Sequence, residues 1–198
     1  MLKEQKTETR KLLIAARDAM SEASRDRASQ NIVKKIAGDP ACRAARAVMA
    51  YCSFGSELDT RRFLEATLAA GKMLVLPRVD RAGKLLTLYR VTDLMVDLQA
   101  GKWGILEPKP DEERRVELGS VDFVLVPGVG FDAQCNRLGY GAGFYDRLFG
   151  DAQRAGGQLP RRVAGAFDCQ IAAAIPISAY DLPVDRVVTE SNDYQRKT

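Results

Sequence analysis

The sequence predicts an α/β protein of three layers, α/β/α, built on a mostly parallel sheet, and three observations predict it. Short apolar runs of strand length recur along the chain, helical periodicities lie between several of them, and 46% of the 198 residues are hydrophobic. Parallel neighbours need crossover connections, so strands separated by helices imply helices on both faces of a sheet. Length and hydrophobic content suit one domain, residues 1–198, with residues 1–38 as an N-terminal helical segment packed on it.

From Leu2 to Met20, the positions Leu12, Leu13, Ala16, Ala19 and Met20 recur at three- and four-residue spacing, which predicts a helix with one buried stripe. Ser21 suits the N-cap of a second helix, which runs through Ile32, Val33 and Ile36 and stops at Gly38-Asp39-Pro40. AVMAYC (Ala47 to Cys52) reads as a buried strand, Thr60 to Ala70 as a helix ending at Gly71, and MLVLP (Met73 to Pro77) as a second buried strand. LLTLYRV (Leu85 to Val91) is a further strand, and Lys102 to Arg115, rich in Pro, Gly and charge, is an irregular connection holding the lone Trp103. VDFVLVPGVGF (Val121 to Phe131) reads as the central strand, running straight into a glycine-rich loop and a helix that starts near Gly143. RVAGAF (Arg162 to Phe167) and RVVT (Arg186 to Thr189) are two late strands with an alanine-rich helical turn between them.

Composition removes several classes of function. A balance of 30 basic against 26 acidic side chains, +4 in all, is too mild to mark a nucleic-acid binder. Residues 1–46 hold 11 Lys or Arg against 6 Asp or Glu, a segment able to meet phosphates, although solvated helix faces explain the count as well. Cys42, Cys52, Cys135 and Cys169 form no C-x-x-C pair and the chain has no histidine, so no standard zinc site can be built. Without histidine, catalysis falls to carboxylates, Lys, Arg, Tyr and backbone amides. The N-terminus is too charged for a signal peptide and no apolar run nears the roughly 18 residues of a membrane helix, so the cytoplasm, with reduced thiols, is the expected location.

Ligands collect beyond the carboxyl ends of strands in open parallel sheets, where RLGYGAGFYDR (Arg137 to Arg147) is placed by this reading. Gly139, Gly141 and Gly143 allow positive φ and close backbone approach, a helix from Gly143 adds its positive dipole end, and Arg137 offers a charged fork for phosphate oxygens. A tight strand-to-helix turn with spare glycines is the plainer alternative. The loop is neither a Walker A motif nor a dinucleotide fingerprint, because no Gly-Lys-Ser/Thr follows and Phe144 takes the third glycine position. Asp146, in the first helical turn, suits Mg²⁺ carried by a nucleotide or simply complements the helix dipole. Asp181 or Asp185 could add a second metal carboxylate, or form a turn before Pro183. Lys6 and Arg10, four apart, share one helix face and could grip a phosphate or remain solvated. Glu57 stands after the first strand, where an acid could bond a donor-rich ring or complement a helix N-terminus.

PGVGFDAQCNRLGYGAGFYDR (Pro127 to Arg147) resembles the signature of the 5-formyltetrahydrofolate cyclo-ligase family, and the resemblance covers nearly the whole chain. KTETR, SFGSELDT, LVLPR, WGILEP and DLPVDRVVTE follow in the family's order. The resemblance implies that Lys6, Arg10 and the run Arg137, Leu138, Gly139, Tyr140, Gly141, Ala142, Gly143, Phe144 and Tyr145 hold ATP, with Arg137 and Lys6 acting in catalysis. It gives Mg²⁺ to Asp146 and Asp181, and the folate to Cys52, Glu57, Trp103, Tyr140, Gly141, Gly143 and Phe144. It also implies a fold related to ribose-phosphate isomerases and coenzyme A transferases. The implied reaction is ATP- and Mg²⁺-dependent cyclisation of 5-formyltetrahydrofolate to 5,10-methenyltetrahydrofolate through a phosphorylated formyl group, with release of ADP and phosphate. The substrate, with or without a polyglutamate tail, is the expected partner of a monomer that meets neither nucleic acid nor membrane.

Four positions depart from the family pattern: Cys135 where glycine is usual, Ala142 where glycine or lysine is common, Tyr180 before the late aspartate, and Thr9 before Arg10. Ala142 puts a Cβ in the loop, which predicts either a backbone free of left-handed geometry there or some strain. Two other readings stand: a non-catalytic relative that binds nucleotide or RNA, and, on architecture alone, a sugar-phosphate isomerase or coenzyme A transferase.

Overall fold

The computed structural model describes residues 1–80, 82–101 and 104–197. Trp103 lies outside the described residues. Three helices come first, α1 (Leu2–Asp18), α2 (Glu22–Ala37) and α3 (Pro40–Ala44), then β1 (Ala47–Met49), α4 (Arg61–Ala69), β2 (Met73–Asp80) and β3 (Leu85–Val91). Short strands follow, β4 (Leu98–Ala100), β5 (Leu106–Pro108), β6 (Arg115–Val116), β7 (Phe123–Leu125), β8 (Gly130–Phe131) and β9 (Arg137–Leu138). The chain closes with α5 (Phe144–Arg154), β10 (Arg161–Gly165), β11 (Arg186–Val188) and β12 (Asp193–Gln195).

One eight-stranded sheet has the order β12-β11-β10-β7-β1-β2-β3-β6. Its five middle strands, β11 to β2, are mutually parallel, and β12, β3 and β6 add antiparallel edges. Alternate side chains of the middle strands serve opposite layers, as the period of two requires. Val48, Leu74, Leu76, Phe123 and Leu125 join Ile32, Ile36, Phe63 and Leu64 of α2 and α4, while Met49, Val75 and Val124 join Phe149 of α5. The three-layer α/β/α architecture is therefore present. At Gly165 of β10, a Cβ would come within 2.5 Å of Leu58 and 2.9 Å of Ile32, so glycine allows the α2 layer to press on the sheet.

Several elements differ from the sequence reading, each for a local reason. The strand expected over Val121 to Phe131 joins the eight-stranded sheet only at Phe123–Leu125, and its end at Gly130–Phe131 pairs instead with Arg137–Leu138 in the β8–β9 hairpin. The connection expected to be irregular contains β5, which pairs with β4 in a hairpin of three-residue strands too short to leave a period. The helical turn after β10 falls on Asp168–Gln170 rather than on the alanines, because Ala172 N–H donates to Phe131 O at 2.8 Å and holds that segment extended.

Helix α1 differs most. Of the expected stripe, Leu13 and Met20 are half-buried while Leu12 is 66% exposed, and the inward face of the helix also carries Lys6, Arg10, Ile14 and Arg17, with Arg17 only 4% exposed. The helix covers a polar opening at the edge of the fold as well as apolar core. Ser21 caps α2 as expected, its side chain accepting from Ser24 N, and Asp39 directly caps α3 after the stop at Gly38.

Candidate active site

The sheet's parallel middle ends at one cleft. Beyond β1 lie Tyr51, Cys52, Phe54 and Glu57, beyond β7 lies Pro127, and the glycine loop and α5 close the opposite side. The cleft encloses about 1220 Å³. That exceeds the roughly 300–1,000 Å³ of a single small-molecule pocket and leaves room for two substrates together. Lys6, Arg10, Cys52, Glu57, Arg137 through Asp146 and Asp181 all line it, so the structure brings together every described residue that the resemblance assigns to the site. Asp185 does not join them, because Arg162 holds it through its backbone N–H at 2.8 Å and its guanidinium at 2.7 Å.

The glycine loop is shaped by its ends and its backbone. Arg137, 6% exposed, donates to Asp146 Oδ1 at 2.8 Å and to Pro127 O at 3.3 Å. Gly141 (φ 103°) and Gly143 (φ 70°) adopt the left-handed backbone that glycine permits, whereas Ala142 is not among the positive-φ residues. The strain considered for Ala142 falls instead on Cys135, at φ 63° in the turn before Arg137. A Cβ at Gly139 would lie 2.9 Å from Arg137 Nη1, so a larger residue there would have to displace that guanidinium.

Among the described residues, the N–H groups from Gly139 through Asp146 find no protein acceptor. The last three belong to the first turn of α5, where the helix leaves its amides free and its positive dipole end outward. Successive unpaired amides at a helix start form a ready anion cradle. Arg10 backs this cradle, donating from Nε to Gly139 O at 2.7 Å. Burial lowers the Arg10 pKa, with Asp181 partly opposing it.

Lys6 of α1 pairs with Asp181, whose Oδ2 also accepts from Ser178 Oγ at 2.8 Å. Burial pushes the Asp181 carboxyl up, but hydrogen bonds from Lys6 and Ser178 outweigh it and hold it below its ordinary range. The partners of the two acids among the described residues fall on Asp146 Oδ1 and Asp181 Oδ2, which leaves one oxygen of each without a hydrogen bond. Oxygen-only donors of this kind suit a hard cation that keeps most of its other ligands as water and phosphate.

The rest of the cleft is different in character. Pro77, Val79, Leu86, Ile105 and Leu106 supply an apolar wall, and Glu57, 8% exposed, is a single acid beside it. Tyr140 Oη donates to Glu57 Oε1 at 2.6 Å and Phe54 N–H to Oε2 at 3.1 Å. Burial raises the Glu57 pKa despite these bonds and the nearby Arg17. Glu57 lies outside α4, whose first turn carries no acid, and lines the cleft. Cys52 is kept a thiol, its pKa pushed up to about 11 by burial and then by Glu107. Ser178, Arg17 and the apolar wall were missed by the sequence reading; for Arg17 the signal was present, at helical spacing after Lys6 and Arg10.

Comparison with known proteins agrees over nearly the whole chain. The model of the 5-formyltetrahydrofolate cyclo-ligase family matches residues 2–190. A relative from Escherichia coli K12 named 5-formyltetrahydrofolate cyclo-ligase is 32% identical over 182 residues, which cover 90% of this chain and 97% of the relative. A probable 5-formyltetrahydrofolate cyclo-ligase of Caenorhabditis elegans is 28% identical over 194 residues, covering 96% and 94%. The NMR structure of Aquifex aeolicus 5,10-methenyltetrahydrofolate synthetase superposes with a TM-score of 0.82 at 35% identity, covering 98% of this chain and 93% of that one.

Proposed function

Since the chain belongs to the 5-formyltetrahydrofolate cyclo-ligase family, a family of ligases, we propose that it closes 5-formyltetrahydrofolate to 5,10-methenyltetrahydrofolate using ATP and Mg²⁺. The observation that carries the nucleotide half of this reading is the run of unpaired amides from Gly139 to Asp146, backed by Arg10 and flanked by Lys6, inside a cleft with an apolar wall and one buried acid. The amides and cations favour polyphosphate. The wall favours a flat ring whose donors Glu57 can accept.

The chemistry follows from the leaving group. A formamide oxygen departs poorly, so the neighbouring bridging amine cannot displace it directly. Transfer of the γ-phosphoryl to the formyl oxygen breaks the bond from the γ-phosphorus to the β,γ-bridging oxygen, which leaves with ADP, and makes the formyl oxygen part of a phosphate ester. The bridging amine, N10, then attacks the formyl carbon and loses its proton. The carbon–oxygen bond breaks with its electrons on phosphate, and the amidinium of the methenyl bridge remains.

Such a transfer needs in-line positioning and charge neutralisation more than covalent help. The loop amides and Lys6 supply both, with Lys6 exchanging Asp181 for phosphate oxygens. Arg137 acts from the end of the loop, where its bond to Asp146 fixes the cradle. Asp146 and Asp181 would hold Mg²⁺ through their second oxygens, and the ion would neutralise phosphoryl charge. The apolar wall excludes water that would hydrolyse the activated formyl group.

The test is growth of methenyl absorbance from 5-formyltetrahydrofolate with purified protein. Growth that requires both ATP and Mg²⁺ is expected; none from folded protein rejects the reading.

A further inference from the structure

Arg17 is a guanidinium, 4% exposed, that makes no salt bridge with any described carboxylate. A buried, permanently charged group is costly unless its charge is answered nearby. Its Nε donates to Ser56 Oγ at 2.9 Å, and Ser56 in turn donates to Asp18. Its Nη2 donates to Tyr140 Oη at 3.2 Å, and that hydroxyl donates its own proton to Glu57 at 2.6 Å. The countercharges therefore stand one residue away, and each hydrogen bond in the chain strengthens the next. Arg17 does not line the cleft; Tyr140 and Glu57 do.

We infer that Arg17 is a positioning residue for the folate half of the site: acting through the Tyr140 hydroxyl, it holds the Glu57 carboxylate in place and charged to accept the N–H donors of the folate ring. This rests on the reading of Glu57 as the folate's partner. Burial pushes Glu57 toward its neutral form, and the Tyr140 hydroxyl, the Phe54 N–H and Arg17 pull it back. The other titratable neighbours, Tyr51 beyond β1 and Tyr145 of α5, are phenols whose own pKa values burial raises, so neither supplies compensating positive charge. Without Arg17 the carboxyl stays protonated to higher pH. It then offers a donor where the ring also offers one.

The experiment compares Arg17→Met, Arg17→Lys, Tyr140→Phe, the Arg17→Met/Tyr140→Phe double variant and Glu57→Gln, reading KM for 5-formyltetrahydrofolate and for ATP across pH. Arg17→Met is expected to raise the folate KM about tenfold and move the acid limb of kcat/KM for folate up by about one pH unit. The ATP KM should stay within about twofold, Arg17→Lys should restore part of the loss, and Arg17→Met should add little in the Tyr140→Phe background. Equal rises in both KM values, an unmoved acid limb, or an undiminished effect without the Tyr140 hydroxyl would mean that Arg17 only anchors α1, and would overturn the inference. If Glu57→Gln leaves the folate KM unchanged, the reading of Glu57 falls and the inference with it. If Glu57→Gln raises it and Arg17→Met does not, the inference alone falls.

Discussion

Arg137 and Asp146 stand nine positions apart in sequence and 2.8 Å apart in space, with the glycine loop folded between them. The pair fixes both ends of the loop, and the residues between line the cleft with their amides unpaired among the described residues. An anion cradle is thus held open by a side-chain bond rather than by its own backbone bonds.

Arg137→Lys keeps a charge but loses the planar fork that reaches both Asp146 and Pro127. We expect turnover to fall about 100-fold, the scale of removing one preorganised donor. Arg137→Ala should in addition lower stability by about 1–3 kcal/mol, because it leaves Asp146 without its main partner. Steady-state rates and thermal melts check both.

Neighbouring loop positions should respond in opposite ways. Gly141→Ala places a Cβ at φ 103°, a conformation costing about 1–3 kcal/mol for such a residue, and should weaken nucleotide binding. Ala142→Gly relieves no left-handed strain, so turnover should change less than about twofold, with a stability loss of about 0.4–1 kcal/mol from the freer unfolded chain. Calorimetric nucleotide binding and denaturant melts distinguish the two.

The raised pKa of Glu57, caused first by its burial, sets two pH dependences of defined sign. The folded protein holds this proton to higher pH than the unfolded chain, so the contribution to stability is fully present below the unfolded value and is lost as pH rises through the folded one. Folate binding runs the other way, failing as pH falls and the carboxylate is protonated. Glu57→Gln should remove the first dependence from urea melts and flatten the second in equilibrium binding.

Asp181→Asn should separate metal from nucleotide. Lys6 loses its ion-pair partner and remains available to phosphate, so ATP binding without Mg²⁺ should hold or strengthen while the gain on adding Mg²⁺ largely disappears. Titrations with and without the ion read this directly. An undiminished Mg²⁺ effect removes Asp181 from the metal site.

Much of this arrangement was legible in the sequence, and for identifiable reasons. The spacing of Lys6 and Arg10 put both on one helix face, alternating glycines marked the loop, and Asp146 fell in the first turn after Gly143. The parallel core followed from buried runs separated by helices, whereas β3 turned back as a hairpin partner of β2. What escaped was whatever depends on long-range partners. Pro77 and Leu86 read as strand residues but form part of a cleft wall, and the inward face of α1 adds cations to its apolar residues because their partners, Asp181, Gly139 and Tyr140, lie far along the chain. The left-handed turn at Cys135 likewise depends on its buried tertiary setting rather than on residue preference.

The most direct test of phosphoryl activation follows an oxygen atom. With 5-formyltetrahydrofolate labelled by ¹⁸O in its formyl group, the label is expected to leave in inorganic phosphate, one labelled phosphate per methenyl bridge formed. Unlabelled phosphate, with the ¹⁸O recovered in water, would contradict it.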